Sequence, residues 1–579
     1  MSNSPAPTPP KTQRPNVVLF ITDDQGWGGL SSHGNPHLET PVLDKLAASG
    51  ARFDRYFVSP VCAPTRASLL TGRYHPRTGM IGIRPGLDTI RSEEVTIAEA
   101  LKPAGYATGC FGKWHNGTHY PYTPPGRGFD EFLGFCAGHW SNYFDTKLEH
   151  NGRMVATQGY ITDVLADAAI GFIRQHHDKP FFCFVPFNAP HVPSQVPDRY
   201  FDKYKAKGLD DWTACSYGMT ENVDDNVGRV LQTLDELQIA DNTIVIFTSD
   251  HGPDNERYNG GLRGRKKSFH EGGVRVPLLI RWPARIQPGT KVNQLAADID
   301  LLPTIVGLCG IDKPETQPLD GLSLAPLLAG QEIAWPDRMI FTYTSRCGIE
   351  QMTPCAVRTD RYRLVNPGSG YELYDMIADP AQTKDIAGTQ AQKTAELSAA
   401  YETWFKDVTK NVAGRMPIPV GYDAAPDVEL PVVQGQLSSG LRFHAQAPGW
   451  NHDWVTGWSD PQETISWQVD VVRADTYDVS LFYTCPEQDV GAAIRLEIGG
   501  QRLETTIRQA FDPEPLPSPD RVPRDIPYEK QWARLSVGAM RLDPGQTTVT
   551  VKAVSIPGRQ AFELIAVRLR RGSTQTRAT

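Results

Sequence analysis

Four short apolar runs, each ending in groups capable of chemistry, constrain this chain more than any other feature. Asn16–Thr22, Tyr106–Phe111, Phe181–Phe187 and Thr243–Ser249 lack polar alternation, as strands buried on both faces do. The first runs into Asp23-Asp24-Gln25-Gly26 and the last into Asp250-His251-Gly252. The other two lead into Gly112-Lys113-Trp114-His115 and Ala189-Pro190-His191. In an open parallel α/β sheet, the carboxyl ends of the strands are where ligands bind. Acidic, basic and imidazole groups are therefore expected along one edge.

Each group has an ordinary and a chemical reading. Adjacent carboxylates such as Asp23 and Asp24 commonly decorate a solvated turn. Placed after a buried strand, they repel one another unless a cation lies between them. Hard oxygen donors suit Ca²⁺ or Mg²⁺, and Asp250 could complete such a cage. His251 fits it less well, because imidazole is a poor partner for a hard cation. Lys113 and His115 are two residues apart, so an extended backbone puts both on one face. Either could otherwise be a surface charge, and His191 a structural histidine.

Residues 62–72 read Cys-Ala-Pro-Thr-Arg-Ala-Ser-Leu-Leu-Thr-Gly. Pro64 suits the first turn of a helix, which the spacing carries to about Thr71 with Gly72 as its cap. Cys62 then lies near unpaired N–H donors and the positive end of the helix dipole, where anions are favoured. Arg66 in that first turn opposes the dipole, and makes sense if an anion is held there. A buried Cys at an ordinary helix start is the alternative. The eleven-residue run resembles the signature of the sulfatase family, in which this Cys becomes formylglycine. Further segments match in order: Gly105–His115, Gly128–Phe135, Leu262–Pro277, Asp298–Thr304 and Tyr371–Pro380. The third carries four cations between Arg263 and Lys267 and resembles the family element Lys-x-x-x-x-Glu-Gly-Gly, with Lys266 in the lysine position.

The resemblance covers roughly residues 14–410 and implies the alkaline-phosphatase-like fold, a large α/β sheet between helices. It implies a cation, Ca²⁺ with Mg²⁺ or Mn²⁺ as alternatives, held by Asp23, Asp24, Cys62, Asp250 and His251. Hydrated formylglycine from Cys62 would supply the nucleophile, made by a formylglycine-generating enzyme. Arg66 would hold the hydrate, and Lys113 and Lys266 would neutralise the sulfate oxygens. His115 would assist release of sulfate, and His191 would serve the departing alcohol oxygen. The implied substrate is a sulfated carbohydrate or an aryl sulfate. A phosphonate monoester or phosphodiester hydrolase, or an inactive sugar-binding relative, are the alternatives.

At 579 residues the chain is long for one domain. Residues 1–13 read as a disordered tail, 14–335 as the catalytic α/β domain and 336–409 as a small α+β subdomain. Arg346, Arg358 and Arg361 in that subdomain read as surface charges. A Pro- and Gly-rich stretch, 410–440, reads as a linker. Residues 441–572 alternate like a β-sandwich of jelly-roll type. Its Trp450, Trp454, Trp458 and Trp467 read as core, with stacking on sugar rings as the alternative. With 58 Lys plus Arg against 66 Asp plus Glu, net charge −8, no nucleic-acid surface is expected. No run reaches the ~20 apolar residues of a membrane span. Nine scattered cysteines and no signal-peptide core point to the cytoplasm, or to the periplasm or outside if the N-terminus is trimmed.

Overall fold

The computed structural model describes residues 14–572 except 313, 332, 345–347, 350 and 413. The expected tail 1–13 and Arg346 lie outside the described residues. A ten-stranded sheet organises the first half. Five adjacent strands run parallel in the order Thr243–Ser249, Asn16–Thr22, Phe181–Pro186, Ala107–Lys113, Glu131–Phe135. The sheet is mixed, because Leu278–Arg281 is antiparallel to both Thr243–Ser249 and Ala51–Phe53, and a hairpin of Lys147–His150 and Arg153–Ala156 closes the far edge.

Burial on both faces explains the unbroken apolar runs. Val17, Leu19 and Ile21 pack with Leu70, Leu101, Leu302 and Ile305 on one side, and Val18 and Phe20 pack with Leu43, Leu165, Phe172 and Val227 on the other. Helices Cys62–Thr71, Ile97–Leu101 and Leu301–Leu308 cover the first face; Pro41–Ala48, Ile161–His176 and Asp211–Glu236 cover the second. Asp211–Glu236 starts well before Thr220, where the apolar stripe alone would begin it. The Asp210 carboxylate accepts from the Thr213 N–H at 2.9 Å and caps it there.

The subdomain is a four-stranded antiparallel sheet, Ile340–Tyr343, Cys355–Arg358, Tyr362–Asn366 and Glu372–Asp375, covered by helix Ala391–Thr409 through Leu397, Tyr401 and Phe405. Arg358 is not a surface charge. It is buried and pairs with Glu271 at 2.9 Å, whereas Arg361 pairs with Asp375 at the surface.

Two sheets around Trp458, Trp467, Leu481 and Val551 make the C-terminal sandwich. The stretch 410–440 is not a plain linker: Ile418–Val420 pairs with Thr464–Val471, and Asp427–Pro431 pairs with Glu563–Arg571. Pairing with the sandwich supplies the order that local periodicity does not show. Trp454, Trp458 and Trp467 are core residues, but Trp450 packs against the catalytic domain instead. No helix among the described residues is long and apolar enough to cross a membrane.

Candidate active site

Register brings the acidic groups together. Thr22 lies opposite Ser249 and Ile21 opposite Pro186, so Asp23-Asp24 and Asp250-His251 leave the sheet side by side. All four side chains are fully buried. Backbone bonds fix the exits: Asp250 N–H donates to the Thr22 carbonyl at 3.0 Å, and Asp23 N–H to that of Ala189 at 3.1 Å. Asp24 has φ +69°, turning its carboxylate back towards the cluster, and its N–H reaches Asp250 Oδ1 at 3.2 Å.

Cys62 begins its helix as expected, and Gly72 ends it with φ +69°. Arg66, one turn in, donates from Nε and Nη2 to Asp250 Oδ2 at 3.2 and 3.0 Å and from Nη1 to the Lys113 carbonyl at 2.9 Å. It also lies 3.6 Å from Asp23 Oδ2. Lys113 Nζ pairs with Asp23, and Lys266 Nζ lies 2.7 Å from Asp24 Oδ1. Burial opposes ionisation of Asp23, yet the surrounding cations, Lys113 foremost, hold it well below the usual carboxylate range. The Cys62 thiol behaves likewise: burial resists its ionisation, but Lys113, His115 and His251 bring it well below an ordinary cysteine.

The remaining sequence candidates occupy the same place. His251 stands 3.3 Å from Asp24 Oδ1, 3.4 Å from Asp250 Oδ1 and 3.7 Å from Asp23 Oδ1. His191 Nε2 is 3.9 Å from Asp24 Oδ2, and its Nδ1–H donates to the Val192 carbonyl at 2.7 Å. Burial and the charge of Lys266 push His191 down to about 3, so it is neutral at pH 7 in the free site. His115 does not share one extended face with Lys113. Its φ of +56° bends the chain, and it reaches Cys62 by that turn.

Two residues escaped the sequence reading. Asp88 is buried 3.7 Å from His115 Nε2, whose hydrogen bond goes to the Ile83 carbonyl at 3.2 Å. His139 sits beside His191, with ring centroids 5.9 Å apart. Both are lone polar residues in loops brought in from elsewhere, and nothing in local spacing marks them.

A cation fits this cluster. One donor atom from each of Asp23, Cys62, Asp250 and His251 lies within 4.8 Å of all the others, and Asp23, Asp24 and His191 form a second such group. Asp23 Oδ1, Asp24 Oδ2 and His251 Nε2 are buried with no hydrogen-bond partner, whereas Asp24 Oδ1 meets the Lys266 ammonium. Buried oxygens left this way cost stability unless something else satisfies them.

The sulfatase family profile matches residues 15–311, more than half of the chain. The chain belongs to the sulfatase family. A second profile, N-sulphoglucosamine sulphohydrolase, C-terminal, matches residues 264–410 of this sulfatase. Human arylsulfatase A is 34% identical over 458 residues, 67% of this chain and 86% of that protein. Human N-acetylgalactosamine-6-sulfatase is 33% identical over 379 residues, 59% of this chain and 70% of that protein. A crystal structure of Ps i-CgsB in complex with k-i-k-neocarrahexaose superposes with a TM-score of 0.64 at 29% identity, covering 69% of this chain and 95% of that one. The sulfatase is thus a sulfuric ester hydrolase on an α/β scaffold with added all-β sheets.

Proposed function

We propose that this sulfatase hydrolyses a sulfate ester of a carbohydrate or aryl alcohol, using formylglycine made from Cys62 and a divalent cation. The observation that carries the reading is the buried cluster of Asp23, Cys62, Asp250 and His251 with partnerless carboxylate oxygens. The names of the relatives, which include an N-acetylgalactosamine-6-sulfatase and an arylsulfatase, support the substrate class. Asp23, Asp24, Asp250 and His251 would hold the cation, and their oxygen-rich set favours Ca²⁺, with Mg²⁺ or Mn²⁺ possible. When bound, it supplies Lewis acidity towards a sulfate oxygen. Hydrated formylglycine would supply one hydroxyl to attack sulfur and a second whose deprotonation expels sulfate and restores the aldehyde.

The chain's own side chains do the rest. Lys113 and Lys266 face the sulfate with fixed positive charge, in a site too dry to screen it. Arg66 is tied by three hydrogen bonds to two acceptors, so it keeps residue 62 and Asp250 in register without moving. His115, its Nε2–H held by the Ile83 carbonyl at 3.2 Å, accepts a proton at the residue 62 side. His191 is neutral until substrate arrives. The incoming sulfate anion opposes Lys266 and raises the affinity of His191 Nε2 for a proton, which it takes up from water and donates to the leaving oxygen.

Peptide mass spectrometry of the Cys62 segment, with turnover of 4-nitrophenyl sulfate against 4-nitrophenyl phosphate and a phenylphosphonate ester, tests the reading. The aldehyde mass and preference for the sulfate are expected. A plain thiol in fully active enzyme, or preference for the phosphorus esters, would overturn it.

A further inference from the structure

The cavity over Cys62 is not closed by the catalytic domain alone. Its volume is about 380 Å³, within the range of small-ligand sites, and Trp450, Arg524 and Ile526 from the C-terminal region line it beside Cys62, His191 and Lys266. This wall is anchored. Arg521 N–H donates to the Ser194 carbonyl at 2.8 Å and Arg524 Nη1 to that of Ser141 at 2.5 Å. Gln195 Nε2 donates to Ser518 Oγ and Asp520 Oδ1, each at 2.7 Å, and the Arg521 guanidinium lies 4.6 Å from the Phe201 ring centre. Ser194 and Gln195 follow His191 closely in sequence. The loop from the sandwich therefore grips the segment that carries a catalytic candidate.

Inside the cavity, His139 is only 3% exposed, yet neither ring nitrogen has a hydrogen-bond partner. Burial foremost, with the cations Arg524 and Lys113 nearby, keeps this imidazole well below its ordinary range. A neutral imidazole offers one donor and one acceptor, the complement of an alcohol hydroxyl. A buried polar group left empty is costly, so a ligand hydroxyl there is worth more than one in water. Trp450 is half-buried at the cavity wall, with the Arg84 guanidinium 4.7 Å from its ring centre. Indole beside a hydroxyl-matched imidazole suits a pyranose, which has apolar C–H faces and an equator of hydroxyls.

We propose that Trp450 and His139 form a sugar subsite of the catalytic pocket, so that the C-terminal sandwich selects a carbohydrate sulfate over a simple aryl sulfate. This rests on the sulfatase reading. It gives the sandwich a part in choosing the substrate, rather than the role of a separate tether.

The test measures kcat and KM of wild type, Trp450→Ala and His139→Ala on 4-nitrophenyl sulfate, N-acetylgalactosamine 6-sulfate and glucosamine-2-N,6-O-disulfate. The ratio of kcat/KM on the better sugar to that on the aryl sulfate is expected to fall about tenfold or more in each variant, chiefly through KM. The desulfated sugar should inhibit aryl sulfate turnover by wild type and lose that effect in His139→Ala. Trp450→Leu and His139→Gln, which keep most of the volume, serve if the alanine variants do not fold. An unchanged ratio, or wild type turning over only the aryl ester, overturns the subsite while leaving the sulfatase reading intact. Wild type inactive on every sulfate ester overturns both.

Discussion

Lys266 approaches Asp24 from a loop rich in cations, and its neighbours decide its charge. Burial disfavours the ammonium, but Asp24 holds it well above its usual range, so it is cationic at any working pH. Removing one preorganised charge of this kind costs ~10²–10³ in rate. Lys266→Ala is therefore expected to lower kcat on 4-nitrophenyl sulfate by about that factor; a kcat within about twofold of wild type would remove Lys266 from the sulfate contact. The partnerless oxygens of Asp23 and Asp24 carry a second expectation. A ligand that binds only the folded state stabilises it by about 2.7 kcal/mol at a hundred times its Kd. Chelation should lower Tm and Ca²⁺ should restore it; a Tm indifferent to both would count against a cation site. Gly138 is tighter still, since a Cβ there would stand 2.2 Å from His115 Nε2. Gly138→Ala should therefore cut kcat by displacing that ring, with His115→Ala adding little further loss in the double variant.

At the scale of elements, the helix Cys62–Thr71 shows how much local rules can carry. Its proline, its start at the cysteine and its glycine cap are all legible from residues 62–72. Gly72 adopts φ +69°, and a Cβ there would meet Leu302 Cβ and Pro303 Cδ, both at 3.3 Å. A left-handed alanine costs roughly 1–2 kcal/mol before any crowding. Gly72→Ala should lower the Tm of the catalytic domain by about 2–4 °C per kcal/mol, and an unchanged Tm would show that the cap relaxes. The four central strands were equally legible, because burial on both faces leaves a run with no polar interruption. Strands Ile418–Val420 and Asp427–Pro431 were not, since two Pro- and Gly-flanked segments owe their order to partners far along the chain. The antiparallel insertion of Leu278–Arg281 was hidden for the same reason: an apolar run does not state its direction. Asp88 and His139 were invisible because a buried polar residue has no period.

Over the whole molecule, the junction between catalytic domain and sandwich holds a titrating group. His452 packs edge-on against Trp140 at 4.7 Å, and burial with Arg524 lowers it to about 4. An unfolded histidine takes its proton near 6.5, so between there and about 4 the unfolded chain binds more protons than the native one. The contribution of His452 is complete above pH 6.5 and is lost as pH falls towards 4. His452→Phe removes the titration but keeps the ring. The Tm difference between wild type and His452→Phe should move against wild type as pH is lowered through that window, and a constant difference would place His452 outside the pH response.

The flush register of Thr22 with Ser249 has a consequence for biosynthesis. Asp23 emerges early in translation, but its neighbour Asp250 follows more than two hundred residues later. A ribosome that has released Cys62 still has most of the sheet to make, so no closed basin for an ion can exist at that moment. Residue 62 must stay open to solvent and to other proteins during that interval. A nascent chain arrested short of Thr243 would therefore leave the thiol open to alkylating reagents from every side, and completion of the strand should slow them by confining entry to the substrate cavity.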